Sequence, residues 1–530
     1  MAWAMRHKRP TMRSDSGYTT SVWMATDVPD VPKLNHNIRT SVCVVGAGIA
    51  GMTVAYLLAR AGRAVVVIDD GEIGGGETGR TTAHITAALD DWYSEIEKLH
   101  GEEGTRIAAE SHVAAINKIE SISALEDIDC DFERVDGYLF LGDNQDKNVL
   151  ERELAAAHRA GLTDVELLER APITSFATGP ALRFPRQAQF HSLKYLNGLA
   201  RAIVRDGGQL YSATHAKTIE DGEPAKIVTS EGHVITADNI VVATNSPVND
   251  WVILHTKQSA YRTYVIAGRI PRGSIPRALY WDTCDPYHYI RLHEVDQLID
   301  PSHREELLIV GGEDHKTGQE QNPEDRFRCL EEWTRKRFPM MGKVDFRWSG
   351  QIMEPVDYMA FIGKNPGTDQ HIFIATGDSG NGITHGTIAG MLLTDLILGR
   401  KNPWSKLYDP SRVTLRATTD FLKENLNVAG QYTDWATAGD VTSYDDIKPG
   451  SGAVIRRGVK KIAVYRDEEG GIHERSAVCT HLYCIVNWNS VERTWDCPCH
   501  GSRFDAYGQV VNGPAIMPLA EVDSDVPASR

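Results

Sequence analysis

Apolar positions along the chain alternate between two regimes. After the irregular, Pro-marked stretch VPDVPKLNHN, the run SVCVV has the unbroken apolar character of a buried strand. GAGIAG then reads as a tight turn, IAGMTVAYLLARAG repeats apolar residues at helical spacing up to Gly62, and AVVVID predicts a second strand. The same succession returns far downstream, where Ile372 to Ala375 predict a strand, Gly377 to Gly382 a loop and Ile383 onward a helix. IVVATN, from Ile240 to Asn245, predicts a further strand end. DFLKENL is helical in pattern and leads, through NVAGQYTDWATAGD, into the strand-rich SGAVIRRGVKKIAVYRDEEGGIHERS.

The first of these units carries Gly46-x-Gly48-x-x-Gly51, and Asp69 closes its second strand 23 residues past Gly46. Glycines at that spacing permit a tight turn, close approach of backbone to a pyrophosphate, and close helix-on-strand packing. The phosphate charge then faces a helix N-terminus, and the carboxylate can accept from a ribose hydroxyl. A dinucleotide site is the expectation. The second loop, Gly377 to Gly382, puts the positive end of another helix against whatever it holds. An anionic reduced flavin ring suits it, because a flavin must be held at both its pyrophosphate and its ring.

Composition narrows the picture. A chain of 530 residues is too long for one core and predicts two or three packed units. The formal charge of -16 argues against nucleic acid as a partner, since phosphate binding needs clustered Lys and Arg. MAWAMRHKRPTMRSDSG is basic but is followed by no apolar run, and no uncharged apolar stretch of about 18 residues occurs, so no transmembrane segment is expected. Cys43, Cys130, Cys284 and Cys329 are scattered singly, as in a reducing compartment, which predicts a cytoplasmic location.

VVGAGIAG, VVVIDDGEIGGGETGRTTA, IVVATN and GDSGNGITHG resemble the FAD-dependent oxidoreductases of the D-amino-acid oxidase and glycine oxidase type. The resemblance covers roughly Thr40 to Arg400. It implies an α/β, Rossmann-like FAD-binding domain with an α+β substrate domain drawn from approximately 90–180 and 250–345. It also implies FAD under Gly46, Gly48, Gly51 and Asp69, Thr78 and Thr82 near the flavin, and Gly380 and Gly382 at its pyrimidine edge. His84 aligns with no covalent flavin linkage and is expected to be a pocket or packing residue. The expected divisions are a lead segment over 1–39, the oxidoreductase over 40–405, a linker over 406–438 and a last domain over 439–530.

The remaining four cysteines lie in CTHLYC and CPCHGS. Cys479-x-His481 and Cys497-x-x-His500 each supply one thiol and one imidazole. Structural zinc, a thiol redox pair and a mixed-ligand two-iron cluster all compete for such a set. Zinc loops usually pair Cys with Cys and His with His. One of each per loop favours a cluster with two cysteines on one iron and two histidines on the other.

CTHLYC, CPCHGSRFDAYG and NGPA are similar, in that order, to Rieske [2Fe-2S] domains, which are all-β. The resemblance implies Cys479, His481, Cys497 and His500 as ligands and a disulfide between Cys484 and Cys499, with two free thiols as the alternative. Gly513-Pro514 would lie in a loop shielding the cluster. Tyr483 stands where many relatives have Gly, and Phe504 where high-potential members have Tyr. A middling or low potential is therefore expected, raised somewhat if the Ser502 hydroxyl reaches a bridging sulfide.

DPYHYIRLH resembles a mononuclear-iron motif, but as a strand it sends His288 and His293 to opposite faces. The same strand puts Tyr287, Tyr289 and Arg291 on one face, making Arg291 a candidate clamp for a substrate carboxylate. His385 is expected either to contact flavin or substrate or to pack at its helix start.

A two-electron flavin joined to a one-electron cluster predicts an oxidoreductase acting on a small-molecule substrate. By the resemblance, that substrate is an amine or amino acid. Electrons would leave singly to an external acceptor, through His481 and His500 if these lie near the surface. A reductase fed by NAD(P)H or a partner, or a non-enzymatic redox sensor, are the alternatives.

Overall fold

The computed structural model describes residues 16–143, 145–248, 254–295, 302, 304–367, 370–414 and 418–522. The basic N-terminal stretch up to Asp15 lies outside them. The SVCVV run sits within the strand Ile38–Val45, at the middle of an eight-stranded sheet. It pairs in parallel with Val65–Ile68 on one side and Val234–Val242 on the other, and Ile372–Thr376 extends the parallel set. The apolar run VVVI is wholly buried, as a strand covered on both faces must be. The helix Ile49–Arg60 crosses over between the first two strands and packs against a second helix, Gly382–Ile397. The two helices approach closely because Gly390 has no side chain; a Cβ there would fall 2.3 Å from Cγ2 of Thr53.

A nine-stranded sheet forms the second layer. Its main path runs through Val344–Pro355, Gln258–Pro271, Glu305–Lys316, His288–Glu294, Leu279–Asp282, Glu133–Phe140, Ala181–Gln189 and His84–Ile85. Neighbours are antiparallel except Leu279–Asp282 with Glu133–Phe140. His288 and His293 do face opposite ways. His288 stacks on Trp333 and pairs with Asp282, whereas His293 lies edge-on to Trp23.

The C-terminal part has two small antiparallel sheets. One holds Ser451–Arg457, Lys460–Arg466 and Ile472–Ser476; the other holds Asn487–Asn489, Thr494–Asp496, Arg503–Asp505 and Val510–Asn512. The connecting segment is docked: it forms the helix Thr418–Gln431 and a turn of 3-10 helix, Tyr432–Ala436. Ser259 Oγ donates to Glu424 (2.7 Å), and Gln319 Nε2 donates to Asn427 Oδ1 (2.8 Å).

The described part of the lead segment is structural. Trp23 and Met24 are fully buried, and Trp23 Nε1 donates to the Thr81 carbonyl (2.6 Å). Thr19 reaches across to Glu492, its backbone N–H donating at 3.0 Å and its hydroxyl at 2.5 Å. The fully buried Glu492 carboxylate also meets Arg80 (3.2 Å), Arg262 (3.4 Å) and the Ser349 hydroxyl. One acid from the C-terminal unit is thus held by two guanidiniums of the larger body.

Candidate functional site

The glycine loop turns where the sequence places it. Gly46 has φ +107°, and a Cβ there would fall 2.4 Å from the Ala243 carbonyl oxygen, so only glycine fits without strain. At Gly51 a Cβ would overlap the Gly46 carbonyl, which makes this glycine a packing residue of the turn. Asp69 braces the loop, accepting from the Ala47 N–H (2.5 Å) and the Gly71 N–H (2.8 Å). Burial, reinforced by Asp70, pushes its carboxyl up to about 7 against those two hydrogen bonds. Thr78 Oγ1 accepts from the Ile49 N–H (3.0 Å) at the start of the first helix.

Gly46, Gly48, Asp69, Thr78, Thr82, Gly380 and Gly382 all line one continuous cavity. Gly380 lies at φ +72°, and a Cβ there would fall 2.0 Å from Asp90 Oδ2. A backbone cradle at one end and a helix N-terminus at the other fit a molecule with an anionic diphosphate and an electron-accepting ring. His84 and His385 also line the cavity, and burial holds both below the usual imidazole range, His84 at about 3. His385 Nδ1 pairs with the Asp378 carbonyl (2.8 Å) at its helix start.

The far wall is the nine-stranded sheet, contributing Thr263, Trp281, Tyr289 and Asp314, with Tyr287 at its strand's edge. Arg291 does not join them, which corrects its reading as a substrate clamp. Its Nη1 donates to the carbonyls of Thr82 (3.0 Å), Ala83 (2.8 Å) and Phe190 (3.1 Å), and its guanidinium lies over Trp23. The strand alternation holds, but two residues beyond Tyr289 the face passes under neighbouring backbone and out of the cavity. There burial pushes the Arg291 guanidinium down to about 9.

In the C-terminal unit the two Cys/His loops converge. The rings of His481 and His500 stand edge-on with centroids 5.1 Å apart, and the Cys479 and Cys497 sulfurs share a hydrogen bond. That bond holds the Cys479 thiol low and the Cys497 thiol high. The His500 ring is buried with Nδ1 lacking a hydrogen-bond partner, and burial next to His481 and His255 pushes it down to about 3. A buried neutral imidazole with an open nitrogen beside two converging sulfurs is what a two-iron cluster requires.

Cys484 and Cys499 form a disulfide. The Cys484, Cys497 and Cys499 sulfurs lie within 4.8 Å of one another, but two of the three are joined and offer no thiolate. Ser502 Oγ accepts from the Ala515 N–H (3.0 Å) and hydrogen-bonds the Cys479 sulfur. Phe504 is fully buried, and Tyr483, at φ +61°, is two-thirds exposed.

The two loop histidines do not lie at the surface. His481 and His500 are 8% and 5% exposed, and His255 of the larger body stands against His481. Gln351 Nε2 donates to the Gly501 carbonyl (3.1 Å), next to His500, while Gln351 also lines the cavity of Gly46 and Gly380. Asn512 and Gly513, in the last strand and loop of the C-terminal unit, line that same cavity. The loop holding Gly513 thus packs on Ser502 through Ala515 and on the cavity through Gly513. None of His255, Gln351 or Glu492 stands in a pattern that marks it in the sequence.

The model of the family "FAD dependent oxidoreductase" matches residues 41–396, and that of the "Rieske [2Fe-2S] domain" matches 437–523. The chain belongs to the FAD-dependent oxidoreductase family. It is an enzyme of that family carrying a C-terminal Rieske domain, and its cofactors are FAD and a [2Fe-2S] cluster. It is 32% identical over 503 residues to the "Putative Rieske 2Fe-2S iron-sulfur protein YhfW" of Bacillus subtilis, covering 94% of this chain and 97% of that protein. The "Gamma-glutamylputrescine oxidoreductase" of Escherichia coli is 29% identical over 400 residues, covering 72% of this chain and 89% of that one. The crystal structure of glycine oxidase from Geobacillus kaustophilus superposes with a TM-score of 0.59 at 17% identity, covering 72% of this chain and all of that one, which speaks to the fold alone. Among the described residues no helix is long and apolar enough to cross a membrane.

Proposed function

We propose that this oxidoreductase oxidises a small amine at FAD and passes the electrons one at a time through its Rieske cluster to an external acceptor. When bound, FAD supplies a hydride acceptor and the cluster a one-electron carrier. The observation that carries the reading is the shared wall: Asn512 and Gly513 of the Rieske domain line the cavity that Gly46 and Gly380 also line. Gln351 strengthens it by reaching from that cavity to the Gly501 carbonyl.

Gly46, Gly48 and Asp69 would bind the diphosphate and ribose end of FAD, with Thr78 and Thr82 nearby. Gly380 and Gly382 would receive the ring, and Gly51 would keep the turn compact. Cys479, His481, Cys497 and His500 would hold the cluster, with the Cys484–Cys499 disulfide tying the loops. Tyr287 and Tyr289 would orient the substrate and exclude water from the sheet side. The relation to a gamma-glutamylputrescine oxidoreductase supports an amine substrate. So does the engagement of Arg80 and Arg291 with protein groups, which leaves a substrate carboxylate without either guanidinium.

Anaerobic mixing of the holoenzyme with amines, amino acids and NADH tests the reading. Amines should bleach the flavin band, with the cluster's reduced signal rising afterwards. Bleaching by NADH alone, or a cluster that stays oxidised beside reduced flavin, would overturn it.

A further inference from the structure

The cavity wall that runs from Gly380 to the nine-stranded sheet is acidic and aromatic. Tyr287 donates to Asp90 Oδ2 (2.9 Å). Tyr289 and Thr263 are hydrogen-bonded at 2.7 Å, and Thr263 in turn bonds Asp314. The other oxygen of Asp314, Oδ1, is sealed from solvent and has no hydrogen-bond partner. A buried carboxylate oxygen in that condition is costly unless something positive or hydrogen-donating meets it. Burial pushes Asp90 up to about 6 and Asp314 up to about 7, the latter helped by the charge of Asp90. The Tyr287 and Tyr289 rings stand 5.4 Å apart on the same wall, and aromatic faces favour a cation.

The opposing charges that could answer these acids are committed elsewhere. Arg80, the guanidinium among the described lining residues, is engaged by Glu492 and the Ser349 carbonyl, and burial holds His84 and His385 neutral. His288, the imidazole whose charge acts on Asp314, is paired with Asp282 and Glu313, and His215 with Asp70. A carboxylate beside the nitrogen being oxidised would keep that nitrogen protonated and withhold the lone pair that C–H cleavage needs. The acidic wall is productive only toward a different, non-reacting ammonium.

We propose that Asp90 and Asp314, with the rings of Tyr287 and Tyr289, bind a second positive charge on the substrate, so that diamines and related dications are preferred over monoamines and amino acids. The proposal rests on amine oxidation at this cavity and names the substrate class. Asp314 and Asp90 are specificity residues in it; neither takes part in bond breaking.

The test compares 1,4-diaminobutane, n-butylamine and 4-aminobutanoate as reductants of the holoenzyme flavin under anaerobic conditions. The variants are the near-isosteric Asp314→Asn and Asp90→Asn. Melting of the dithionite-reduced holoenzyme with 1,4-diaminobutane reads binding without turnover. The diamine should half-saturate about ten-fold or more below butylamine, the yield of one charge-assisted hydrogen bond. Asp314→Asn should erase that advantage, raising the half-saturation for the diamine to that for butylamine. If amines bleach the flavin but the diamine has no advantage, or keeps it in both variants, the ammonium site is wrong and amine oxidation stands. If no amine bleaches it, yet the diamine raises the melting temperature of the wild-type protein and not of Asp314→Asn, amine oxidation falls and the site stands. Neither bleaching nor a melting shift would overturn both.

Discussion

The imidazole of His255 stands edge-on to that of His481, with ring centroids 4.9 Å apart and planes at 79°. One ring belongs to the larger body and the other to the CTHLYC loop, so with His481 as a proposed ligand the histidine edge of the cluster would face inward. Removing the His255 ring should open that edge. In His255→Ala, oxidation of the dithionite-reduced cluster by ferricyanide, followed by stopped-flow absorbance, should be faster than in the parent. Equal rates would mean that small oxidants reach the cluster by another face.

Glu492 holds the two bodies together through Arg80 and Arg262. Glu492→Gln would leave two buried guanidiniums without their counter-charge and should cost about 3–5 kcal/mol in chemical unfolding. The loss should appear first as separation of the Rieske domain, read as increased proteolysis between residues 409 and 440.

The same carboxylate sets an acid limit. Burial alone would raise its pKa, but Arg80, Arg262 and Arg503 outweigh burial and hold it well below its ordinary value near 4.5. A group depressed in the folded state contributes stability that is complete above the unfolded value and is lost as pH falls toward the folded one. Domain contact should therefore weaken below about pH 4.5, and Glu492→Gln should flatten that part of the melting profile.

Ser502 hydrogen-bonds the Cys479 sulfur. Ser502→Ala removes a bond that favours the reduced cluster and should lower its midpoint by on the order of 50 mV, the one-electron equivalent of a single hydrogen bond. Redox titration followed by electron paramagnetic resonance checks the sign. An unchanged midpoint would assign the potential to other groups.

Gly46→Ala places a methyl group 2.4 Å from the Ala243 carbonyl at φ +107°. The variant should purify without most of its yellow chromophore while retaining the cluster's signal. Cys479→Ser should do the reverse.

Local chemistry was readable in the chain because each part of it is short-range. Strand, glycine turn, helix and acid follow one another within Ile38 to Asp69, and the four proposed cluster ligands sit in two loops tied by a disulfide. Arg291 was placed on the correct face but assigned the wrong task, because alternation fixes a side chain's face and not what covers it. The contact between the bodies was invisible for a different reason. Glu492 meets Thr19 across 473 positions and Ser349 across 143, and no periodicity links residues so far apart. His255 is likewise an ordinary residue of a short 3-10 turn until the fold brings it to His481.

The strap of residues 16–26 imposes an order on biosynthesis. Thr19 and Ser16 leave the ribosome before Glu492, Arg503 and Asn512, which they grip. At roughly 5–20 residues per second the nascent segment waits about half a minute or longer for its partners. The contact between the strap and the C-terminal unit therefore forms only once that unit has emerged, so until then Arg80 and the strap wait without the carboxylate that joins them.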